Sequence, residues 1–176
     1  MVGSCTEKSI GKQNGCGDTM QMKLVSIIVP IYNMETFVSR GVQCLKAQTY
    51  PNLEILLIDD GSTDGSGIAC DQEAQMDRRI RVYHTANRGA GPARNLGIQQ
   101  ATGTYLHFFD VDDFLYPNAI TLLVEAAEKT GVDLVVGGFS VDDHNRNQRW
   151  VPKADHQYRT GEQVRRHFYP YMWMFG

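Results

Sequence analysis

The feature that most constrains this chain is a repeated unit: a short strand-like run, closed by a polar or acidic turn, then a segment with helical spacing. Leu24–Pro30 (LVSIIVP) and Leu53–Ile58 (LEILLI) are apolar, largely β-branched runs that read as strands buried on both faces. Ile80–His84 and Thr104–Phe109 (TYLHFF) are the third and fourth. Between them, Glu35–Gln48 carries Phe37, Val38, Val42, Leu45 and Ala47 at helical spacing. A second helix, capped by Ser62 or Thr63, is expected to run to about Met76, and a third from Pro92 to about Ala101. A fourth spans Pro117–Lys129 and stops at Gly131. A fifth strand is expected at Asp133–Gly137. After Phe139 the pattern weakens to a strand near Arg149–Pro152 and a helix over Gly161–Phe168. Alternation of this kind implies an α/β fold, a mainly parallel central sheet covered by helices on both faces.

Composition narrows the function classes. A length of 176 residues suits one domain. The net charge of −3 and the scattered Lys and Arg give no basic face for nucleic acid. Cys5, Cys16, Cys44 and Cys70 form no C-x-x-C pair and have no His at zinc-ligand spacing. Cys44 and Cys70 fall in expected helices and read as small apolar residues, with a reducing, cytoplasmic setting the simplest one. The first 22 residues lack the apolar core of a signal peptide and read as a disordered tail, and no run approaches 18 apolar residues. The expected organisation is therefore a tail over 1–22, a ligand-binding α/β domain over 23–140, and the start of a further region over 141–176.

In open α/β sheets ligands bind outside the carboxyl ends of the strands. Those ends collect Pro30-Ile31-Tyr32-Asn33, then Asp59-Asp60, then Asn87 to Asn95, then Asp110-Val111-Asp112-Asp113. Five aspartates facing one crevice repel one another, by roughly 1–3 kcal/mol for each pair at about 6 Å. A divalent cation offsets that. Asp110 and Asp112, one residue apart at a strand end, supply the oxygen ligands that Mn2+ or Mg2+ favours. Tyr32 is placed either to stack on a nucleobase or to pack on the sheet rim. Asp60 reads as an acceptor for a base N–H, or Asp59-Asp60 together as turn and cap residues. Arg94, in the first turn of a helix, is placed to clamp a phosphate or to pair with one of the aspartates.

Four ordered blocks carry a resemblance: VSIIVPIYNMETF, LEILLIDDGSTDGS, NRGAGPARNLGI and GTYLHFFDVDDFLYP. The chain resembles the family 2 inverting glycosyltransferases of GT-A (Rossmann-like, three-layer α/β/α) fold over about Leu24–Ser140. The resemblance implies that Pro30, Tyr32, Asn33 and Glu35 line a nucleoside pocket, which the acid pair Asp59-Asp60 helps to hold, with Asp60 meeting the base. It implies that Arg94 and Asn95 flank the nucleotide. Asp110 would lie near ribose and diphosphate, and Asp112 on the metal. Val111 stands where the family commonly has Ser, and its side chain is expected to point away from the metal. The implied ligands are a nucleoside diphosphate sugar donor, most often a uridine one, a glycan or lipid-linked acceptor, and Mn2+ or Mg2+. The implied reaction is attack of an acceptor hydroxyl on the anomeric carbon with inversion. Peripheral membrane association and homo-oligomers are compatible with the resemblance.

The expected carboxylate base is the departure. Beyond Asp155 the only acid is Glu162, in an expected helix start, and Asp142 and Asp143 follow the fifth run. The chain thus reads as the donor-binding portion of a longer enzyme, with a non-catalytic donor-binding fragment as the alternative. Two other classes fit poorly. A dinucleotide fingerprint at Gly89-Ala-Gly91 would need a glycine where Arg94 stands. An aspartyl-nucleophile phosphatase would carry its acid pair on the first strand, not the fourth.

Overall fold

The computed structural model describes residues 22–143 and 146–150. Its elements run β1 (Val25–Ile31), α1 (Glu35–Lys46), β2 (Leu53–Asp59), α2 (Ser66–Met76), β3 (Ile80–His84), α3 (Ala90–Gln100), β4 (Tyr105–Phe108) and α4 (Ala119–Thr130). A hairpin, β5 (Phe139–Asp143) with β6 (Arg146–Trp150), follows. The first four strands form one parallel sheet in the order β3-β2-β1-β4.

β1 and β2 pair residue for residue from Val25↔Leu53 to Ile31↔Asp59 and are the buried centre of the sheet. Their alternate side chains feed two cores, as a period of two requires. Ile27, Val29, Ile55 and Leu57 meet Val38, Val42 and Leu45 of α1, Cys70 of α2 and Ile120, the second residue of α4. Ile28, Leu56 and Ile58 point the other way, onto Ala93 and Leu96 of α3. Helices therefore cover both faces, and the three-layer α/β expectation holds.

Several expectations change at the edges. Ser62 and Thr63 do not cap α2, which begins at Ser66 with Gly65 at its N-cap. Their polar atoms are used instead to tie two loops together, as described below. Asp133–Gly137 is not a strand; the strand that follows α4 begins at Phe139 and pairs antiparallel with β6. β6 covers part of the strand expected near Arg149–Pro152. The expected helix over Gly161–Phe168, Glu162 and most of the expected tail lie outside the described residues. Both described cysteines are free and packed: Cys70 is buried, and the Cys44 thiol donates to the Leu115 carbonyl at 3.1 Å. Among the described residues no helix is long and apolar enough to cross a membrane.

Candidate donor-binding site

From β1 the chain moves outward to β2 and β3, then returns to place β4 on the other side of β1. The sheet order reverses there, and the crevice beyond the carboxyl ends of β1 and β4 is the topological switch point where α/β sheets take ligands. Tyr32 lies at the β1 end and Asp110 to Asp112 just past the β4 end.

The β1 end is held by the loop after β2. Asn33 has φ 52°, a left-handed conformation that Asn tolerates better than most residues. Its N–H donates to Ser62 Oγ at 3.0 Å, and its Oδ1 accepts from the Thr63 N–H at 2.8 Å. The Met34 N–H donates to Ser66 Oγ at 2.8 Å and the Glu35 N–H to Asp64 Oδ2 at 3.2 Å. Glu35 returns the contact by accepting from the Gly65 N–H at 3.1 Å. These bonds make the β1–α1 and β2–α2 turns one unit and leave Tyr32 45% exposed. Pro30 is half-buried in β1, paired in register with Ile58.

Asp59 and Asp60, the acid pair expected to hold the nucleoside with Asp60 on the base, do different things. Asp59 is buried; its Oδ1 accepts from the Ser62 N–H at 3.0 Å and its Oδ2 meets His84 Nδ1 at 2.8 Å. Burial works to raise its carboxyl, but the bonds from Ser62 and His84 outweigh that and hold it below the ordinary value. Asp60 is buried and accepts from the Arg88 N–H at 3.0 Å and the Gly89 N–H at 2.7 Å, anchoring the glycine-rich loop. Gly89 adopts φ 93°, ψ 164°, a region open essentially to glycine alone. α3 then starts without a side-chain cap.

On the far side of the crevice, Arg94 donates to Asp110 Oδ1 at 2.7 Å, a pairing with one of the aspartates that the sequence offered beside a phosphate clamp. Asn95 is exposed beside it on α3. Val111 is buried against α1, facing away from the crevice as expected, so that Asp110 and Asp112 stay exposed on either side of it. The turn is pinned by the Asp113 N–H on the Asp110 carbonyl and by Arg40, which donates to the Asp112 carbonyl at 2.8 Å. Desolvation first, then the Asp110 and Asp112 charges, raise the Asp113 carboxyl. Among the described residues no group of three or more metal-ligating side chains is assembled. The donor set of two exposed carboxylates therefore fits a cation that takes its remaining ligands from phosphate and water.

Sequence reasoning missed Ser62, Asp64 and Ser66 as loop ties, and Arg40 and His84 as anchors. Their partners lie 25 to 72 residues away, and no local pattern marks them.

Residues 26–175 match the family described as "Glycosyl transferase family 2". The chain belongs to that family. It is 43% identical over 132 residues to the uncharacterized glycosyltransferase EpsJ of Bacillus subtilis, covering 75% of this chain and 38% of EpsJ. It is 42% identical over 118 residues to the glycosyltransferase GlyG of Streptococcus pneumoniae, covering 66% of this chain and 39% of GlyG. Among solved structures, Staphylococcus aureus TarS residues 1–349 in complex with UDP superimposes with TM-score 0.63 at 25% identity, over 71% of this chain and 38% of that one. The mannosyltransferase PcManGT from Pyrobaculum calidifontis, in complex with GDP-Man and Mn2+, gives 0.56 at 29% identity, over 68% and 35%. The fold is thus the GT-A type of these glycosyltransferases, and the chain spans under two fifths of each of these four relatives.

Proposed function

We propose that this chain binds a nucleoside diphosphate sugar, with uridine donors preferred, for metal-dependent transfer of the sugar to an acceptor hydroxyl with inversion. The observation that carries the reading is that an exposed tyrosine, a glycine loop anchored on Asp60, an uncapped helix start and two exposed carboxylates all lie at the carboxyl end of one parallel sheet, with Arg94 of that helix paired to Asp110 after β4. The Tyr32 ring would stack on the base, flanked by Pro30, Asn33 and Glu35, and Asp60, whose two oxygens each accept one loop N–H, would receive a base N–H on a second lone pair. Asp59 would act from behind, by holding Asp60. The start of α3 and Arg94, with Asn95 beside it, would face the diphosphate, since a helix N-terminus and a guanidinium both favour anions. Asp110 and Asp112 would hold Mn2+ or Mg2+, with Val111 seating the turn. When bound, the cation supplies charge neutralisation on the leaving diphosphate.

In the reaction the acceptor oxygen forms a bond to the anomeric carbon as the bond from that carbon to the diphosphate oxygen breaks. The diphosphate leaves with the electron pair, and the hydroxyl proton passes to a carboxylate base. The complexes of TarS with UDP and PcManGT with GDP-Man and Mn2+ support the donor class and the metal. The acceptor is a glycan or lipid-linked hydroxyl, in keeping with the resemblance.

Calorimetric titration of UDP- and GDP-sugars, with and without Mn2+, tests this. Metal-dependent binding, tightest for a uridine donor and weakened at least about tenfold (1.4 kcal/mol) by Asp112→Asn, is expected. Metal-independent binding, or binding of no donor, overturns it. Donor binding without sugar transfer to any acceptor reduces the function to that of a donor-binding module.

A further inference from the structure

Behind the crevice, His84 at the end of β3 sits between two carboxylates. Its Nδ1 is 2.8 Å from Asp59 Oδ2 on β2, and its Nε2 is 3.2 Å from Asp71 Oδ1 on α2. A neutral imidazole donates from one nitrogen only, and an ionised carboxylate only accepts. Both contacts are satisfied together only by the imidazolium. The ring is also 48% exposed at its side chain, so protons reach it from solvent. Gly67 of α2 packs against the pair; a Cβ there would lie 3.0 Å from Asp59 Oδ2 and 3.5 Å from His84 Cε1. Asp59 from β2 and Asp71 from α2 are the charged groups that face the ring. Cys70 lies near the same carboxylates and stays a thiol, pushed up to about 12 by burial first and by those charges after it.

Asp59 is where this contact joins the donor site. Its Oδ1 fixes the Ser62 N–H, and its carbonyl accepts from the Thr85 N–H at 2.9 Å, one residue past His84. The next residue, Asp60, holds the Arg88 and Gly89 amides. Gly61 leaves no room beside Asn87, whose N would be 2.6 Å from a Cβ there. The loops after β2 and β3 thus form one hydrogen-bonded unit with His84 at its base.

We infer that His84 is a positioning residue whose imidazolium, clasped between Asp59 and Asp71, fixes the loop pair carrying Asp60, Arg88 and Gly89 and so tightens donor binding. The last clause rests on the donor-site reading above; the clasp itself does not. The hydrogen bond with Asp59, then that with Asp71, raises the His84 pKa above its ordinary 6.5, against the lowering effect of burial. A raised folded value means that the clasp contributes fully below the unfolded value. It is lost as pH rises through the folded one.

The test is an NMR titration of this chain from about pH 5.5 to 9, following the His84 ring and the Arg88 and Gly89 amides. The amides are expected to titrate with the midpoint of the ring. Asp71→Asn, at an exposed position of α2, should lower both midpoints together, and His84→Gln should abolish the amide titration. Amides that ignore the ring, or that keep their midpoint in Asp71→Asn, overturn the clasp. UDP affinity with Mn2+ should then fall about threefold or more across the midpoint in the wild type and remain level in His84→Gln. UDP binding with the same pH dependence in both proteins overturns the link to the donor. Titrating amides with no UDP binding at any pH uphold the clasp and count against the donor-site reading instead.

Discussion

Adjacent residues in this crevice hold opposite posts. In Asp110-Val111-Asp112 the turn after β4 sends Val111 into the core and leaves the two carboxylates outside. That much was legible: an apolar residue between two acids at a strand end has only one sensible direction. What receives Val111 was not legible, because the seat is a glycine seventy residues earlier. A Cβ on Gly41 of α1 would overlap the Val111 carbonyl oxygen and come within 2.8 Å of Val111 Cγ2. The clash is with backbone, so the turn itself must move. Gly41→Ala is expected to cost about 1–3 kcal/mol through overpacking, offset by up to about 1 kcal/mol of helix propensity. Gly91→Ala in α3, where a Cβ meets nothing within 4 Å, should show the propensity gain alone. Urea denaturation of the two variants checks this: Gly41→Ala should lower the midpoint, and Gly91→Ala should hold or raise it. Asp59 and Asp60 repeat the lesson. Sequence set them side by side at a strand end, but only the fold shows one turned to His84 and the other to the Gly89 loop.

At the scale of elements, the four parallel strands and four helices follow the sequence pattern closely, and the departures have a common cause. Asp133–Gly137 has the residues of a strand, yet strand propensity reports fitness for a pleated surface, not the presence of a neighbour to pair with. Pairing falls instead to Phe139–Asp143, which finds β6. The converse error is Glu54, a charge within the run LEILLI that patterning alone passes over. It is buried at the amino end of the sheet, away from the crevice. It accepts from Ser26 Oγ, from the Thr102 N–H at 2.6 Å, from Thr102 Oγ1 at 3.0 Å and from the Gly103 N–H at 3.0 Å, and pairs with Arg81. One carboxylate thereby joins β1, β2, β3 and the turn before β4. Burial alone would raise it, but these donors hold it below the ordinary value. Glu54→Ala leaves the buried Ser26 hydroxyl without its partner, while the part-exposed Thr102 and Arg81 can turn to water. It should destabilise by about 1–3 kcal/mol, while donor affinity of the folded fraction is unchanged. A loss below about 1 kcal/mol in chemical denaturation would mean that water replaces the carboxylate.

For the molecule as a whole, the ionisable groups set stability from both sides of neutrality. Glu54, Asp59 and Asp77 are held below their ordinary values and His84 above its own. A depressed carboxylate contributes stability above its unfolded pKa and loses it as pH falls through the folded one, whereas His84 loses its contribution as pH rises. Stability should therefore peak between the two limbs, and the acid limb can be assigned. Asp77 follows α2 and folds its carboxylate onto Arg79. It accepts from the backbone N–H at 3.0 Å and from Nη2 at 2.7 Å, in a turn closed by the Ile80 N–H on the Asp77 carbonyl. The Arg79 side-chain hydrogen bond, ahead of any opposing burial, brings Asp77 from 3.8 down to about 2. The side chain is only 14% exposed, so solvent screening removes little. The linked stability is about 2 kcal/mol, complete above pH 3.8 and lost as pH falls towards 2. Asp77→Asn keeps the shape and removes the charge. Its deficit in denaturation free energy should be about 2 kcal/mol at neutral pH and shrink steadily below about pH 4, where the wild type loses the same charge. A deficit that stays constant down to pH 2 would locate the cost in lost hydrogen-bond geometry rather than in the ion pair, and the acid limb would then belong to Glu54 and Asp59 at the two ends of β2.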